Sequence, residues 1–383
     1  MHSPHPPSLA PDLSRHEASV PSLRMRPGTL VLDRGHGTVQ IGTDRRWAVC
    51  LNNISFAELT WLRSAATHRH VPLESSARRL GVSAERCRHI SSVLRGSTHL
   101  LPHRDDHQAL ESRTSRVSTA DARALGSIRE DGDGCSTLAA RQRSTIRVSG
   151  LGRLGGTVAL LLASAGVGTL VLRPEGLVQV DDVGLGAFGA FDVSWDRHSA
   201  LARSLHRVEP SVTVTAHARP DVTVNVHSHA VDPADYYTAT AERLPHLPVV
   251  VNDADVTVGP MVIPGMTACT MCVALHHADD DPAWPTLTTQ LARSPGIPCE
   301  TTLAAMAASL AASQVLAYLD GNHPSAVNHL IEVSLPEALP RLRTVTRHPD
   351  CPCREHTTRR EGSAFRQGPV RHKGSGHHDT PAR

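Results

Sequence analysis

Two pairs of closely spaced cysteines carry the strongest chemical signal in the sequence. Two residues separate Cys269 from Cys272, and one residue separates Cys351 from Cys353 much further along the chain. Two thiolate pairs, each gripping a metal ion from a short turn, complete a tetrahedral zinc site. Four thiolates leave no position for water, so the predicted zinc is structural and joins the C-terminal segment to the rest of the fold, with His348 as a supporting contact. The alternative is a set of free buried thiols.

A glycine cluster follows a predicted strand, Thr145–Ser149, and opens a predicted helix. Its glycines are Gly150, Gly152, Gly155 and Gly156. Glycines in this context permit a tight turn and let phosphate groups approach backbone amides at the positive end of the helix. The sequence therefore predicts a nucleotide-binding loop. The alternative is a tight strand-to-helix turn that holds no ligand.

Cys299 and two histidines are weaker candidates. Cys299 precedes an alanine-rich helix predicted over 302–319, and a helix N-terminus lowers the pKa of a thiol, so Cys299 is a candidate nucleophile. An inert loop cysteine is the alternative. His227 and His229 alternate at strand spacing, as two metal ligands on one face would. Because the chain has 25 histidines, incidental surface residues are the alternative there.

The elements that must position these groups alternate between strands and helices from residue 145 onward. Strand Thr145–Ser149, a helix reaching residue 165 and strand Thr169–Leu172 form one βαβ unit. A helix over 198–207 and strands over 212–216, 222–226 and 248–252 follow. Aromatic residues make up only 3% of the chain, so alanine, valine and leucine must fill the core. This order predicts an α/β fold with a Rossmann-like, mostly parallel sheet and helices on both faces.

A small α+β domain is predicted upstream, over residues 23–101. Strand-like runs precede helical patterns there, over 29–33, 38–42 and 47–51 and then over 55–65, 73–80 and 84–94. Ser83 is the expected N-cap of the last helix, and the arrangement resembles a winged helix. The basic residues of these helices, Arg78, Arg79, Arg86 and Arg88, form no clear recognition surface. No nucleic-acid partner is therefore expected, and a packing or dimerisation module is the alternative.

The remaining segments are predicted to be tails and a linker. Residues 1–22 and 356–383 are typical of disordered tails. Residues 102–144 are typical of a linker, because apolar residues are scattered among Arg, Asp, Ser and Gly, and the nucleotide- and zinc-binding domain then spans 145–355. Since no apolar run of membrane-spanning length and no apolar signal core are found, we expect a cytoplasmic protein without a membrane partner.

The stretch from Leu162 to Leu172 resembles the ThiF-type adenylyltransferases of the ubiquitin-activating-enzyme-like superfamily. The resemblance implies ATP and Mg²⁺ as cofactors beside the structural zinc. It implies that Glu175 is the acid that holds the ATP ribose. In the segment that begins at Asp192, it places Arg197 where the family has a phosphate-contacting lysine. Arg153 and Arg197 are then the groups that stabilise negative charge at the α-phosphate.

The sequence departs from the family pattern at the position of the catalytic aspartate. The family places that residue after a later strand, where this chain reads Val226-His227-Ser228-His229-Ala230. Loss of such a group costs on the order of 10²–10⁴ in rate, so adenylation is predicted to be slow or absent unless Asp253 or Asp255 substitutes. The resemblance also places Cys299 in a crossover loop, where family members can carry a thioester or persulfide cysteine.

Within this superfamily, the chain is most similar to the ThiF-like proteins that accompany cyclodehydratases in azole and bacteriocin-type peptide biosynthesis. The stretches that carry this similarity are Arg26-Pro27-Gly28 with Gln40-Ile41-Gly42, Asp281-Pro282-Ala283-Trp284-Pro285 with Gln290-Leu291, and His348-Pro349-Asp350-Cys351-Pro352-Cys353. It implies a homodimer and an N-terminal domain that holds a leader peptide by β-augmentation. Two functions stay open: adenylation of a peptide or small carrier-protein carboxylate, or a non-catalytic scaffold that presents a precursor peptide to a partner cyclodehydratase.

Overall fold

The computed structural model describes residues 23–26, 28–44, 48–67, 71–95, 99–102, 119–129, 134–232, 238 and 241–354. These residues form two compact units, the first ending at residue 136 and the second beginning at residue 137. The predicted tails, 1–22 and 356–383, lie outside the described residues.

The first unit combines short antiparallel strands with helices, as the winged-helix-like prediction expects. Its elements in chain order are β1 (Leu23–Met25), β2 (Val31–Asp33), β3 (Val39–Ile41), β4 (Val49–Leu51), α1 (Phe56–Thr67), α2 (Leu73–Arg79), α3 (Ala84–Arg95), β5 (Leu100–Pro102) and α4 (Thr119–Ile128). Strands β2, β3 and β4 form a meander, and β1 pairs with β5. Helices α2 and α3 follow each other across a tight turn.

Side-chain caps and one buried indole fix the helices of this unit. Ser55 and Glu58 form a reciprocal capping box at the start of α1, with hydrogen bonds of 2.8 and 3.3 Å. The Ser83 hydroxyl accepts the Arg86 amide at 3.2 Å, as its predicted capping role requires. The Arg86 guanidinium in turn pairs with Glu58 at 2.6 Å, so one member of the basic cluster is already neutralised. The buried Trp61 indole donates to a carbonyl at the start of α2 at 3.2 Å.

The second unit is built on one eight-stranded sheet. Its elements in chain order are α5 (Gly134–Gln142), which begins in the first unit, β6 (Thr145–Ser149), α6 (Arg153–Ser164), β7 (Thr169–Leu172), α7 (Arg197–Val208), β8 (Thr213–Thr215), β9 (Val222–Ser228), β10 (His246–Val251), β11 (Asp255–Val258), α8 (Thr270–Asp280), α9 (Trp284–Leu291), α10 (Thr301–Leu319), β12 (His329–Ser334) and β13 (Arg341–Thr344). The strand order is β13-β12-β11-β10-β9-β6-β7-β8. The strands from β10 to β8 in this order are parallel, whereas β11, β12 and β13 add antiparallel pairs.

Helices cover both faces of the sheet, as predicted. Helix α10 packs against α6 and β11, and α7 packs against α6, around a core of alanine, valine and leucine. On β12, Ile331 and Val333 face this main core. Side chains alternate between the two faces along a strand, so Leu330 points to the other face. There it packs with the cysteines at the start of α8. Helix α8 therefore lies on the opposite face from α6 and α10.

Helix α10 corrects one expectation from the sequence. We expected no apolar run of membrane-spanning length. This helix of 19 residues is nevertheless long and apolar enough to cross a membrane, by length and composition alone. A buried core helix passes the same test. Here the buried positions, among them Leu303, Ala307, Ala311 and Val315, recur at helical spacing on the side that meets the core.

The segment predicted as a linker holds two helices, α4 and α5, and this is a second correction. Polar contacts from distant residues help to hold both helices. The buried Arg26 guanidinium donates to the carbonyls of Gly126, at 2.6 Å, and of Arg129 at the end of α4. In the second unit, the Arg141 side chain on α5 donates to the Asp320 carboxylate at 2.8 and 2.6 Å and to the Ala165 carbonyl at 3.1 Å.

The pair of Arg141 and Asp320 gives a test of this packing. Both side chains are buried, with exposed fractions of 6% and 7%. Replacing Asp320 with Ala leaves a buried guanidinium unpaired, so we expect the free energy of unfolding to fall by about 3–5 kcal/mol. Urea denaturation measures this change in the free energy of unfolding. The double variant Arg141→Met/Asp320→Leu, which removes both charges, should recover most of the loss; equal loss in both variants would contradict the assignment.

Candidate nucleotide and metal sites

The turn between β6 and α6 contains two glycines, Gly150 and Gly155, at which a Cβ would clash with backbone atoms. Gly150 has a φ of +77°, and a Cβ there would lie 2.3 Å from the Val226 carbonyl oxygen of β9. A Cβ at Gly155 would lie 2.1 Å from the Gly150 carbonyl oxygen. Gly152 is the N-cap of α6. The predicted loop therefore brings the start of a helix directly against the parallel sheet.

A cavity of about 400 Å³ opens beside this turn. It lies at the carboxyl ends of β6, β9 and β10. In the sheet, β6 has β7 as its neighbour on one side and β9 on the other, so the chain connections diverge at β6. Open parallel sheets bind ligands at such a switch point. The lining residues are 150–155, Glu175, Gln179, Asp181, Asp182, Arg197, 226–228, Val251 and 296–299.

Glu175 reaches the glycine loop, although not through a ligand. Its carboxylate accepts the amide of Gly150 at 3.0 Å and the amide of Leu151 at 2.6 Å. The contact fixes the loop and engages two amides that a phosphate would otherwise meet. Glu175 therefore lies beside the loop and stabilises it, and its role as the acid that holds the ATP ribose stays a prediction.

Two arginines line the cavity, as the sequence analysis anticipates. Arg197 donates through Nε and Nη2 to Asp182 Oδ2 at 2.9 and 2.7 Å, and through Nη1 to the Glu175 carbonyl at 3.1 Å. Arg153 donates through Nη1 to the Cys299 carbonyl at 3.1 Å. Arg153 Nε is buried and has no hydrogen-bond partner among the described residues. Both cations therefore line the same cavity.

The aspartates that line the cavity differ from the two that the sequence suggested as substitutes for the catalytic aspartate. His227 and Ser228 occupy the end of β9, so no carboxylate stands there. Neither proposed substitute is among the described residues that line the cavity: Asp253 is exposed, and the Asp255 carboxylate accepts the Asn252 side-chain amide at 2.7 Å.

Asp181 and Asp182 line the cavity instead, and sequence reasoning missed both. They belong to a short 3₁₀ turn after β7, and Asp182 is buried while Asp181 is exposed. The signal that could have found them is the adjacent pair of acids following the second strand of a βαβ unit. Their side chains bring carboxylate oxygen, the ligand type that Mg²⁺ prefers, to this wall.

Cys299 lines the cavity, but its thiol is not activated. Burial, together with the neighbouring Glu300 carboxylate, raises the pKa of Cys299 to about 11. The predicted lowering is therefore wrong. Burial of the thiol is the main reason. In addition Glu300, the N-cap of α10, accepts the amides of Thr302 and Leu303 at 2.8 and 2.9 Å, so its carboxylate occupies the positive end of the helix. At neutral pH the Cys299 thiol is protonated.

The four cysteines predicted as metal ligands come together. Sγ–Sγ distances are 3.8 Å between Cys269 and Cys272, 3.6 Å between Cys269 and Cys351, and 3.5 Å between Cys272 and Cys353. Zinc–sulfur bonds of about 2.3 Å in a tetrahedron give sulfur separations of about 3.8 Å. The cluster therefore fits a closed Zn–S₄ site, with one pair at the start of α8 and the other after β13.

The ionisation of these thiols links metal binding to the release of protons. The hydrogen bond with Cys272, followed by burial, raises the pKa of Cys269, and burial raises the pKa of Cys353 to about 12. The same hydrogen bond lowers the pKa of Cys272 to about 4. Cys269 and Cys353 thus stay protonated at neutral pH unless a metal ion displaces their protons.

His348 supports this cluster from outside. His348 Nε2 lies 2.8 Å from an Asp279 carboxylate oxygen, and the Asp350 amide donates to His348 Nδ1 at 3.1 Å. An acceptor Nδ1 leaves the proton on Nε2, which then donates to Asp279. His276, Asp279 and His348 are close enough to group around an ion. The hydrogen bonds indicate a tie between α8 and the segment after β13 instead.

A glycine loop at the switch point of a parallel sheet, an acid shortly after the next strand and a four-thiol cluster define a Rossmann-like α/β protein with a candidate nucleotide site. The family model described as "ThiF family" matches residues 122–353. This chain belongs to the ThiF family.

Known proteins resemble the chain at different levels. Protein HesA of Leptolyngbya boryana is 28% identical over 237 residues, which cover 57% of this chain and 79% of that protein. HesA of Nostoc sp. is 29% identical over 153 residues, 36% of this chain and 60% of that protein.

Solved structures share the fold. The structure of E. coli MccB with MccA has a TM-score of 0.64 at 14% identity, covering 87% of this chain and 99% of that chain. MccB with ATP has a TM-score of 0.62 at the same identity and coverage. PaaA has a TM-score of 0.61 at 15% identity, covering 84% of this chain and 99% of that chain. Coverage of this extent includes the N-terminal unit as well as the sheet.

The zinc assignment predicts one zinc per chain in the purified, reduced protein, measured by elemental analysis. Cys272→Ser should lose the metal and lower the melting temperature, because it removes one ligand of a closed site. Cys50→Ser, which changes an exposed cysteine of the first unit, is the matched control and should keep one zinc. Stoichiometric zinc in Cys272→Ser, or none in the parent protein, would refute the site.

Proposed function

We propose that this chain is an ATP-dependent adenylyltransferase that activates the carboxylate of a peptide, or of a small carrier protein, in the biosynthesis of a ribosomal peptide natural product. The observation that carries the proposal is the cavity at the glycine turn, where two arginines and the start of α6 converge. Support comes from the shared fold with MccB, whose structures include one with ATP and one with MccA.

Different groups of the cavity would bind the phosphates and stabilise the charge that develops during the reaction. The amides from Gly152 to Gly155 at the start of α6 would hold phosphate oxygens. The Gly156 amide, which the sequence also suggested, instead donates to the Gly152 carbonyl at 2.8 Å. ATP supplies the adenylyl group: a substrate carboxylate oxygen bonds to the α-phosphorus while the bond to pyrophosphate breaks. Arg153 and Arg197 would stabilise the negative charge that develops there. The Cys299 thiol has no step in this scheme, because it is protonated and buried.

The charge of the cavity argues that a divalent cation accompanies the nucleotide. Three carboxylates line it, those of Glu175, Asp181 and Asp182, against two guanidinium groups, those of Arg153 and Arg197. A triphosphate entering this space meets a net negative wall unless a cation comes with it. Asp181 is the exposed acid of the three, so we propose Asp181 as the residue that holds Mg²⁺ in place of the family's aspartate.

The N-terminal unit offers a peptide-binding edge. Hydrogen bonds from Gly42 to Leu30 and from Arg34 to Thr38 turn the backbone of Leu30 and Arg34 towards β3. The alternating residues Val31 and Asp33 then direct their backbone groups to the other side. Leu30 is 53% exposed and Leu32 is 39% exposed, so apolar contacts are available along this edge. An extended leader peptide added beside β2 would use both features.

A second function rests on a specific observation. His227 stands at the end of β9, and neither Asp253 nor Asp255 lines the cavity, which favours a scaffold that binds a precursor peptide and presents it to a partner cyclodehydratase. Both functions use the peptide-binding edge and differ only in turnover. The homodimer, the cytoplasmic location and the partner cyclodehydratase remain proposals under either function.

Gly152→Asp tests nucleotide binding without unfolding the turn. Asp is a preferred N-cap residue, so α6 should persist, while its charge opposes the phosphates. We expect ATP affinity to fall at least about tenfold in calorimetry, because a like charge near 4 Å costs about 4 kcal/mol even under partial screening. Gly152→Asn is the matched control, since it has the same shape and cap without the charge. Equal affinities in the two variants would show that the loop binds no phosphate.

ATP–pyrophosphate exchange with candidate peptides tests turnover. Exchange should require Mg²⁺ and should fall on the order of 10²–10⁴ in Asp181→Asn, since a charged group at the reacting phosphates is lost. Asp253→Asn, which changes an exposed acid outside the cavity, should behave like the parent protein. Exchange that is absent with every peptide, while Gly152→Asp still weakens ATP binding, would favour the scaffold over the enzyme.

A further inference from the structure

The segment from Asp281 to Pro298 is held to the rest of the second unit by little contact. It contains α9, none of whose residues is buried. At its start, the Trp284 indole stacks on the His277 ring, with centroids 4.7 Å apart and planes 26° from parallel. At its far end the backbone from Gly296 to Cys299 forms a wall of the nucleotide cavity. A loosely packed helix therefore precedes a stretch of backbone that must keep its place.

Two side chains, one from the start of α6 and one from the end of β9, bond to carbonyls of this segment. Arg153, at the start of α6, donates to the Cys299 carbonyl at 3.1 Å. His229 Nε2 lies 3.1 Å from the Pro295 carbonyl oxygen, and since a carbonyl only accepts, Nε2 carries the proton. Between them Gly296 packs so near to the end of β9 that a Cβ there would lie 3.3 Å from Ser228 Oγ.

The backbone of His229 is set for this contact. Its φ is +67°, a left-handed conformation that a residue with a side chain adopts at a cost. Its amide donates to the Val251 carbonyl at 2.7 Å, which anchors the residue to the end of β10. The backbone of His229 is therefore fixed at the carboxyl ends of β9 and β10, and its imidazole bonds to the 281–298 segment.

We propose that His229 is a positioning residue that fastens the 281–298 segment to the end of the sheet and so keeps one wall of the nucleotide cavity closed. The inference rests on the proposed function for the identity of the ligand, an adenine nucleotide. The fastening itself is a property of the ligand-free chain. When the bond opens, the wall from Gly296 to Cys299 keeps the packing of Ile297 on the core and the Arg153 hydrogen bond to Cys299, but it loses its tie at Pro295. A bound nucleotide then gains a path out.

Hydrogen–deuterium exchange of the ligand-free full chain tests the fastening. In His229→Gly, which suits the positive φ but lacks the donor, amides of residues 290–297 should exchange about two- to tenfold faster, as expected for the loss of one hydrogen bond. His229→Gln, whose side-chain amide can donate, should restore slow exchange. His217→Ala, at an exposed histidine beyond β8, should leave exchange unchanged. Unchanged exchange in His229→Gly would overturn the proposal.

Stopped-flow dissociation of a fluorescent ATP analogue tests the closed wall. The dissociation rate should rise in His229→Gly by a factor similar to that seen in exchange and return towards the parent value in His229→Gln. Faster exchange with an unchanged dissociation rate would overturn the role of the segment as a wall of the cavity. A parent protein that binds no ATP would refute the proposed function instead, and the exchange comparison would still decide whether His229 fastens the segment.

Discussion

The approach of the β6–α6 turn to β9 is the constraint on which the cavity depends. Only a residue without a side chain permits the contact of Gly150 with the Val226 carbonyl and of Gly155 with the turn itself. This contact carries the start of α6 to the place where the connections of the parallel sheet diverge. From there the loop amides meet Glu175, and Arg153 extends to the opposite wall. The walls of the cavity are thus held through one turn.

The electrostatics of the cavity follow from how its charges pair. Arg197 is directed by the buried Asp182, and two loop amides are directed by Glu175. These pairs hold charged groups in fixed orientations in the absence of ligand, which is the condition for stabilising charge without reorganisation. Asp181 differs because it is exposed and adjoins the fixed groups. The cavity therefore combines a rigid charged frame with one acid that is accessible to solvent.

Much of the fold could be predicted because its signals are local. The βαβ unit around Gly150, the capping of α3 by Ser83 and the four cysteines each follow from residue type and spacing, and the structure agrees with them. What failed depends on distant residues. The linker helices are held by Arg26 and by the ion pair to Asp320. These contacts join residues far apart in the chain, so a local sequence pattern does not reveal them. The lowered pKa expected for Cys299 overlooked a competing carboxylate one residue away.

The four-thiol cluster has a consequence for how the second unit is synthesised. Its first pair opens α8, whereas its second pair follows β13, the edge strand that is the last to leave the ribosome. A nascent chain can bind the metal with only two sulfurs until every strand of the sheet has been translated. Closed coordination of a metal ion by all four thiols would therefore form only after the described sheet is complete. A product truncated before Cys351 would keep only half of the cluster and would lack the tie between α8 and the segment after β13, which leaves that region more open to proteolysis.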